Sequence, residues 1–113
     1  MRARLTIHKG EDVGKSWTIE REVTIGRSHE SKVRLRDRGV SANHARIFYD
    51  EKAGCFMLED LKSSNGTVLG GATVRRPEKL LALDIIGFAR TVSAVFQVLP
   101  DAPAGAGAPA PQS

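Results

Sequence analysis

The stretch "TVSAVFQV", Thr91 to Val98, alternates strictly: Val92, Ala94, Phe96 and Val98 share one parity, and Ser93, Val95 and Gln97 the other. Successive side chains leave a strand on opposite faces, so this pattern reads as a half-buried β-strand. It recurs throughout the chain. "RLTIHK" puts Leu5 and Ile7 on one face, "KSWTIE" pairs Trp17 with Ile19, and "EVTIG" pairs Val23 with Ile25. "VRLR" aligns Val33 with Leu35 and turns Arg34 and Arg36 outward, where they solubilise a strand face. "HARIFYD" sets His44, Arg46 and Phe48 against Ala45, Ile47 and Tyr49, and Phe48 is assigned to the core with His44 on its face. "CFMLED" supplies Phe56 and Leu58, and "DIIGF" is mostly apolar.

Turn residues punctuate these segments at Gly10, Gly14, Gly39, Gly54, Asn65-Gly66, Gly70-Gly71 and Pro77. No stretch carries a helical stripe. Short alternating strands with close turns predict an all-β fold, an antiparallel β-sandwich of about ten or eleven strands. Up-and-down connectivity would alternate its turns between the two ends, so that loops distant in sequence meet. Loops on such a scaffold are where function is carried.

A chain of 113 residues accommodates one domain. Its 41% hydrophobic residues suffice for a core, and 27% charged residues are ordinary for a globular protein. No apolar run approaches the roughly 20 residues of a membrane-spanning helix. The basic start "MRARLTIHKG" lacks the apolar block of a secretory signal. Cys55 is the single cysteine, so no intrachain disulfide and no cysteine-based metal site are expected, and a reducing, cytoplasmic setting follows. His8 and His29 are scattered, which does not make a metal site. The final segment "PDAPAGAGAPAPQS" holds four of the five prolines and can bury almost nothing. The folded unit is therefore expected over residues 1–99. Residues 100–113 are expected to be a disordered linker or tail, as in a chain cut from a longer protein.

The net charge of +4 favours anionic partners. Nucleic acid is disfavoured, because aromatic residues are only 5% and Phe48, Phe56 and Phe96 fall in the core alternation, leaving no stacking platform.

Three polar islands interrupt the strands. "TIGRSHES" closes a strand at Gly26-Arg27, "GVSANHARI" places Ser41 three residues before His44, and "DLKSSNGTVLGG" (Asp60–Gly71) carries Lys62 to Thr67 as an unbroken polar run. By itself Asn65-Gly66 predicts a hairpin reversal. Ser41 and His44 have neither an acidic orienter nor a nucleophile elbow, so no catalytic residue is assigned.

Taken in order, Gly-Arg, Ser-x-x-His and Ser-x-Asn-Gly-Thr resemble the forkhead-associated (FHA) domain, and the resemblance runs from "LTIHKGEDVGKSWTIEREVTIGRS" to "LLALDIIGFARTVSAVFQV". It implies a non-catalytic module that binds phosphothreonine peptides without a cofactor or metal. Its partner would be a phosphothreonine-containing protein or peptide, such as a Ser/Thr kinase or its substrate, and not nucleic acid or membrane. The isolated domain would be a monomer. Arg27, Ser41 and Ser64 match the family's phosphate-binding positions, and Asn65 the residue that holds the peptide backbone. Gly26, His44 and Gly66 match positions that shape the loops. The position after the motif serine is often Arg or Asn in the family and is Ala42 here. Lys62, where the family often has Gly, and Arg38 are candidate auxiliary cations. The alternative reading is an FHA-like scaffold whose phosphate recognition is weakened or lost at Ala42 and which binds partners by another surface.

The chemistry is consistent with such a ligand. A phosphothreonine carries nearly two negative charges and three strong acceptor oxygens. A guanidinium offers a planar fork of donors that lysine cannot copy, and hydroxyls add donors from other directions.

Overall fold

The computed structural model describes residues 2–99, which form eleven strands and no helix. The expected tail over 100–113 lies outside the described residues. Strands β1 (Arg2–Lys9), β2 (Ser16–Ile19), β7 (Thr67–Leu69), β8 (Ala72–Thr73), β10 (Asp84–Phe88) and β11 (Val92–Leu99) make one sheet in the order β2-β1-β11-β10-β7-β8. Strands β3 (Glu22–Gly26), β4 (Val33–Arg34), β5 (Ala45–Asp50), β6 (Cys55–Asp60) and β9 (Glu78–Lys79) make the other, in the order β4-β3-β5-β6-β9. The all-β sandwich is as the alternation implied.

Two details of the expected topology are corrected. The sheets are not wholly antiparallel, because β4 runs parallel to β3, with Ile25 opposite Val33 and Gly26 opposite Arg34. Nor is the connectivity up-and-down, because the chain crosses between sheets after β2, β6, β8 and β9. One crossing explains a third correction. Asn65-Gly66 does not reverse a hairpin but lies in the segment that carries the chain from β6 in one sheet to β7 in the other. The tight hairpin falls at Gly70-Gly71, where both residues have positive φ (59° and 90°) and Leu69 pairs with Ala72. Consecutive positive φ values match the right-handed twist of the flanking strands, and glycine adopts them without a steric penalty.

The core fills the space between the sheets. Leu5, Ile7, Ile86, Phe88, Ala94 and Phe96 project from one sheet, and Ile25, Ala45, Ile47, Phe56 and Leu58 from the other. Phe56 meets Phe96 edge to face at 5.7 Å, joining the two layers. Burying each such large side chain contributes roughly 1.5–3 kcal/mol before chain entropy is subtracted. Trp17 is half-buried and packs against this core. Phe48 was expected inside and is not. The inward set of β5 is Ala45 and Ile47, with half-buried Tyr49, so Arg46 and Phe48 face outward. There the Arg46 guanidinium covers the Phe48 ring at 4.1 Å. An arginine stacked on an aromatic face stabilises a position that alternation alone cannot distinguish from a core one.

Five connections gather at one end of the sandwich: β1–β2, β3–β4, β4–β5, β6–β7 and β10–β11. The carboxylate of buried Asp12, in β1–β2, accepts the Arg36 backbone N–H at 2.9 Å and Lys15 Nζ at 3.1 Å. Burial opposes its ionisation, but these donors prevail and hold its pKa below the ordinary aspartate value. In β10–β11, the Ala89 N–H donates to the Gly66 carbonyl at 3.1 Å. Arg2 pairs with Leu99 at the far end of the same sheet.

Candidate functional site

The three polar islands occupy adjacent loops of this end and are bonded to one another mainly through backbone groups. Arg27 N–H donates to the Ser41 carbonyl at 2.9 Å, and Ser28 N–H to the Ala42 carbonyl at 3.2 Å. Ser31 Oγ also donates to the Ala42 carbonyl, at 3.3 Å. These bonds lay the β3–β4 loop along the β4–β5 loop. The close approach explains Gly26. Its φ is not in the left-handed region, but a Cβ there would run into the Ala42 carbonyl.

The second and third islands meet at Ser41. Ser64 N–H donates to Ser41 Oγ at 2.9 Å, which leaves the Ser41 hydroxyl hydrogen to be donated elsewhere. Asn65 Nδ2 donates to the Gly39 carbonyl at 2.8 Å, fixing the plane of its amide and leaving its side-chain oxygen outside that bond. Ser41 is half-buried, whereas Arg27, Ser64 and Asn65 are exposed at the loop surface. Among the described residues no carboxylate lies within ion-pair reach of Arg27.

His44 lies beneath these loops, fully buried and edge-on to Phe88 at 5.8 Å. Its Nδ1 accepts the Ser41 backbone N–H at 3.1 Å. That bond leaves the proton on Nε2, which donates to the Gly66 carbonyl at 2.8 Å. Neutral imidazole satisfies both contacts; a second proton on Nδ1 would face the Ser41 N–H. Burial pushes the His44 pKa below its ordinary value, against the opposing pull of the Gly66 carbonyl. His44 is thus buried as expected, but not by sharing a face with Phe48.

Sequence reading did not single out Asp60, although it closes the third loop. Its Oδ1 accepts Ser63 Oγ at 2.5 Å and Thr67 Oγ1 at 2.6 Å, and its Oδ2 accepts the Ser63 N–H at 3.1 Å. Ser63 Oγ in turn accepts the Gly66 N–H at 3.0 Å, and Gly66 itself has φ 89°. Burial raises the Asp60 pKa, but the hydroxyl and backbone donors outweigh it and hold the pKa below the usual carboxylate value. The signal for this role was present: an Asp immediately before a Ser- and Thr-rich turn is suited to capping that turn's N–H and O–H groups. Lys62 is exposed in the same loop with φ 61°, the left-handed region in which glycine is most at ease. Arg38 is exposed next to Gly39. Arg34, read as a solubilising residue, instead donates from Nε to the Arg27 carbonyl at 3.2 Å.

The described residues contain no group of three or more His, Cys, Asp or Glu side chains suited to a metal ion. No helix among them is long and apolar enough to cross a membrane. What the loop end offers is hydrogen-bond donors and cations held in loops at one end of the sandwich.

Comparison with known proteins agrees with this architecture. Over 76 residues the chain is 36% identical to human sarcolemmal membrane-associated protein, a stretch covering 62% of this chain and 9% of that protein. The chain therefore spans about a tenth of the length of such curated relatives. Among solved structures, an FHA domain from a structural and functional analysis of phosphothreonine-dependent FHA domain interactions superposes with a TM-score of 0.77 at 28% identity, over 88% of this chain and 99% of that one. The FHA domain of an Arabidopsis thaliana hypothetical protein gives a TM-score of 0.82 at 26% identity, over 92% and 91% of the two chains. The FHA domain family model matches residues 23–89, which include all three polar islands. With that match over more than half its length, the chain belongs to the forkhead-associated family.

Proposed function

We propose that this domain is a non-catalytic reader of phosphothreonine peptides that mediates phosphorylation-dependent protein–protein interaction in Ser/Thr kinase signalling. The carrying observation is at Ser41: its hydroxyl accepts the Ser64 N–H and retains its own hydrogen, while the Ser41 carbonyl accepts the Arg27 N–H. In this reading Arg27 provides the guanidinium fork for the phosphoryl group, and Ser41 and Ser64 provide hydroxyl donors. Asn65 holds the peptide backbone through the amide atoms not engaged by Gly39. Lys62 and Arg38 add positive potential from the rim. Gly26, His44 and Gly66 keep the loops in place without touching ligand. A few charge-assisted hydrogen bonds plus backbone contacts support binding of about −8 kcal/mol, a micromolar dissociation constant, once association entropy is subtracted. That strength suits a reversible reader of a phosphorylation signal. The partner is a phosphothreonine-bearing protein, a Ser/Thr kinase or its substrate, met by one copy of this domain. A reducing, cytoplasmic compartment fits the single free Cys55.

The second reading, a scaffold that has lost phosphate recognition, rests on the side chain missing at Ala42. The Ala42 carbonyl still braces the β3–β4 loop. The missing side chain bears on affinity more than on the binding mode.

The experiment is titration of a phosphothreonine peptide against the wild-type domain and Arg27→Ala, followed by calorimetry. Loss of the charged fork lowers affinity about 100-fold or more. Because Arg27 is exposed, the thermal transition of the variant stays within about 0.5 kcal/mol of wild type. Phosphoserine in the same peptide binds more weakly. Equal affinity of Arg27→Ala and wild type would refute the assignment.

A further inference from the structure

Two half-buried arginines of the second sheet have opposite electrostatic fates. Arg46 is neutralised: its Nε donates to Glu59 at 2.5 Å, its Nη1 to Glu22 at 3.0 Å, and its guanidinium covers Phe48. Arg34 is held by longer contacts, and by uncharged partners. It leaves β4 between buried Val33 and buried Leu35, its Nε donates to the Arg27 carbonyl, and its Nη2 donates to His29 Nε2 at 3.4 Å. No carboxylate lies within ion-pair reach of it among the described residues, and neighbouring Glu30 makes no ion pair. A guanidinium has five N–H donors, and these two contacts occupy only two.

The result is a second positive charge fastened to the loop that carries Arg27. An arginine kept for solubility would extend into water, where its side-chain entropy is retained. Arg27 follows Gly26, the residue paired with Arg34 across β3 and β4, so the two cations are rooted at adjacent positions and together favour an anion. We infer that Arg34, steadied by His29, forms a second anion subsite beside the one centred on Arg27, and that the preferred ligand is a phosphothreonine peptide with a further acidic group close in sequence. That group is a carboxylate or a second phosphoryl, and both are read by the same fork of donors. The inference rests on the phosphothreonine reading above and assigns it a sequence preference. Arg34 is a specificity residue here, distinct from the groups on the phosphothreonine itself.

The test uses one phosphothreonine peptide with alanine flanks, a series placing Asp at each position within about four residues on either side, and a doubly phosphorylated version. Each is titrated by calorimetry against the wild-type domain, Arg34→Gln and Arg34→Lys. The expected result is that at least one acidic peptide binds wild type about three- to fivefold more tightly than the neutral one, as a partly exposed ion pair provides. In Arg34→Gln that advantage disappears while the neutral peptide keeps its affinity within about twofold, and Arg34→Lys keeps part of the advantage. The Asp series and the doubly phosphorylated peptide separate a carboxylate from a phosphoryl preference. Chemical shifts of the backbone amides confirm that the variants are folded. An acidic preference that survives Arg34→Gln, or its absence in wild type while the neutral peptide binds, overturns the subsite and leaves the reader function intact. Failure of every phosphothreonine peptide to bind wild type overturns both.

Discussion

Between the sheets, stability is a matter of area: Phe56, Phe88 and Phe96 are buried together with aliphatic side chains, and no single atom is indispensable. At the loop end it is a matter of individual atoms. One imidazole spans Ser41 N–H and the Gly66 carbonyl, and one carboxylate gathers Ser63 and Thr67. Apolar packing is tolerant of detail, whereas a buried polar contact either has its partner or leaves a desolvated group behind. The interior can therefore drift in sequence while keeping its shape, and the loop end cannot.

This contrast can be broken at three depths. Phe96→Ala strikes the interior, where its ring meets Phe56, and should lower stability by about 3–5 kcal/mol in chemical denaturation. A loss below about 1 kcal/mol would mean the layers are not packed as described. His44→Ala removes far less apolar area but strands the Ser41 N–H and the Gly66 carbonyl, so a loss of about 2–3 kcal/mol is expected. It should also loosen the Ser41–Ser64 contact and reduce phosphopeptide affinity, which Phe96→Ala should do only through unfolding. The smallest effect comes from acid. The folded-state pKa of His44 lies below its ordinary value of 6.5, so below that pH the unfolded chain binds the extra proton first. Stability from this residue is complete above pH 6.5 and declines as pH falls towards the folded pKa, by at most about 1.4 kcal/mol per pH unit. Denaturation profiles between pH 7 and 5 should show this decline in wild type and lack it in His44→Ala. Asp60, whose pKa is also lowered, loses its contribution only on further acidification, below about 3.8.

The same contrast governs what the sequence discloses. Long strands such as β1 and β11 are legible because alternation over eight residues has little competition. Strands β8 and β9, two exposed residues each, are too short for any periodicity to register. Phe48 misleads because both parities of "HARIFYD" contain an aromatic residue; Ala45 and Ile47 take the inward face, and Arg46 stacks on the Phe48 ring left outside. Asn65-Gly66 has hairpin chemistry, but the sheet to which the following strand belongs is settled by pairing across the whole fold. The loop residues Gly26, Ser41, His44 and Gly66 are legible as a spaced pattern. What that pattern hides is the backbone: the carbonyls of Gly39, Ala42 and Gly66 do much of the joining, and a carbonyl looks alike in every sequence. Asp60 and Arg34 passed as ordinary surface charges for a related reason, since their partners are hydroxyls and a carbonyl and not opposite charges.

The pairing of Arg2 with Leu99 has a consequence for how such a domain is carried. The two ends of the described fold lie side by side at the pole opposite Ser41. Neither end of residues 2–99 therefore stands beside the surface that presents Arg27 and Arg34, and an attachment made there leaves the residues of that surface untouched.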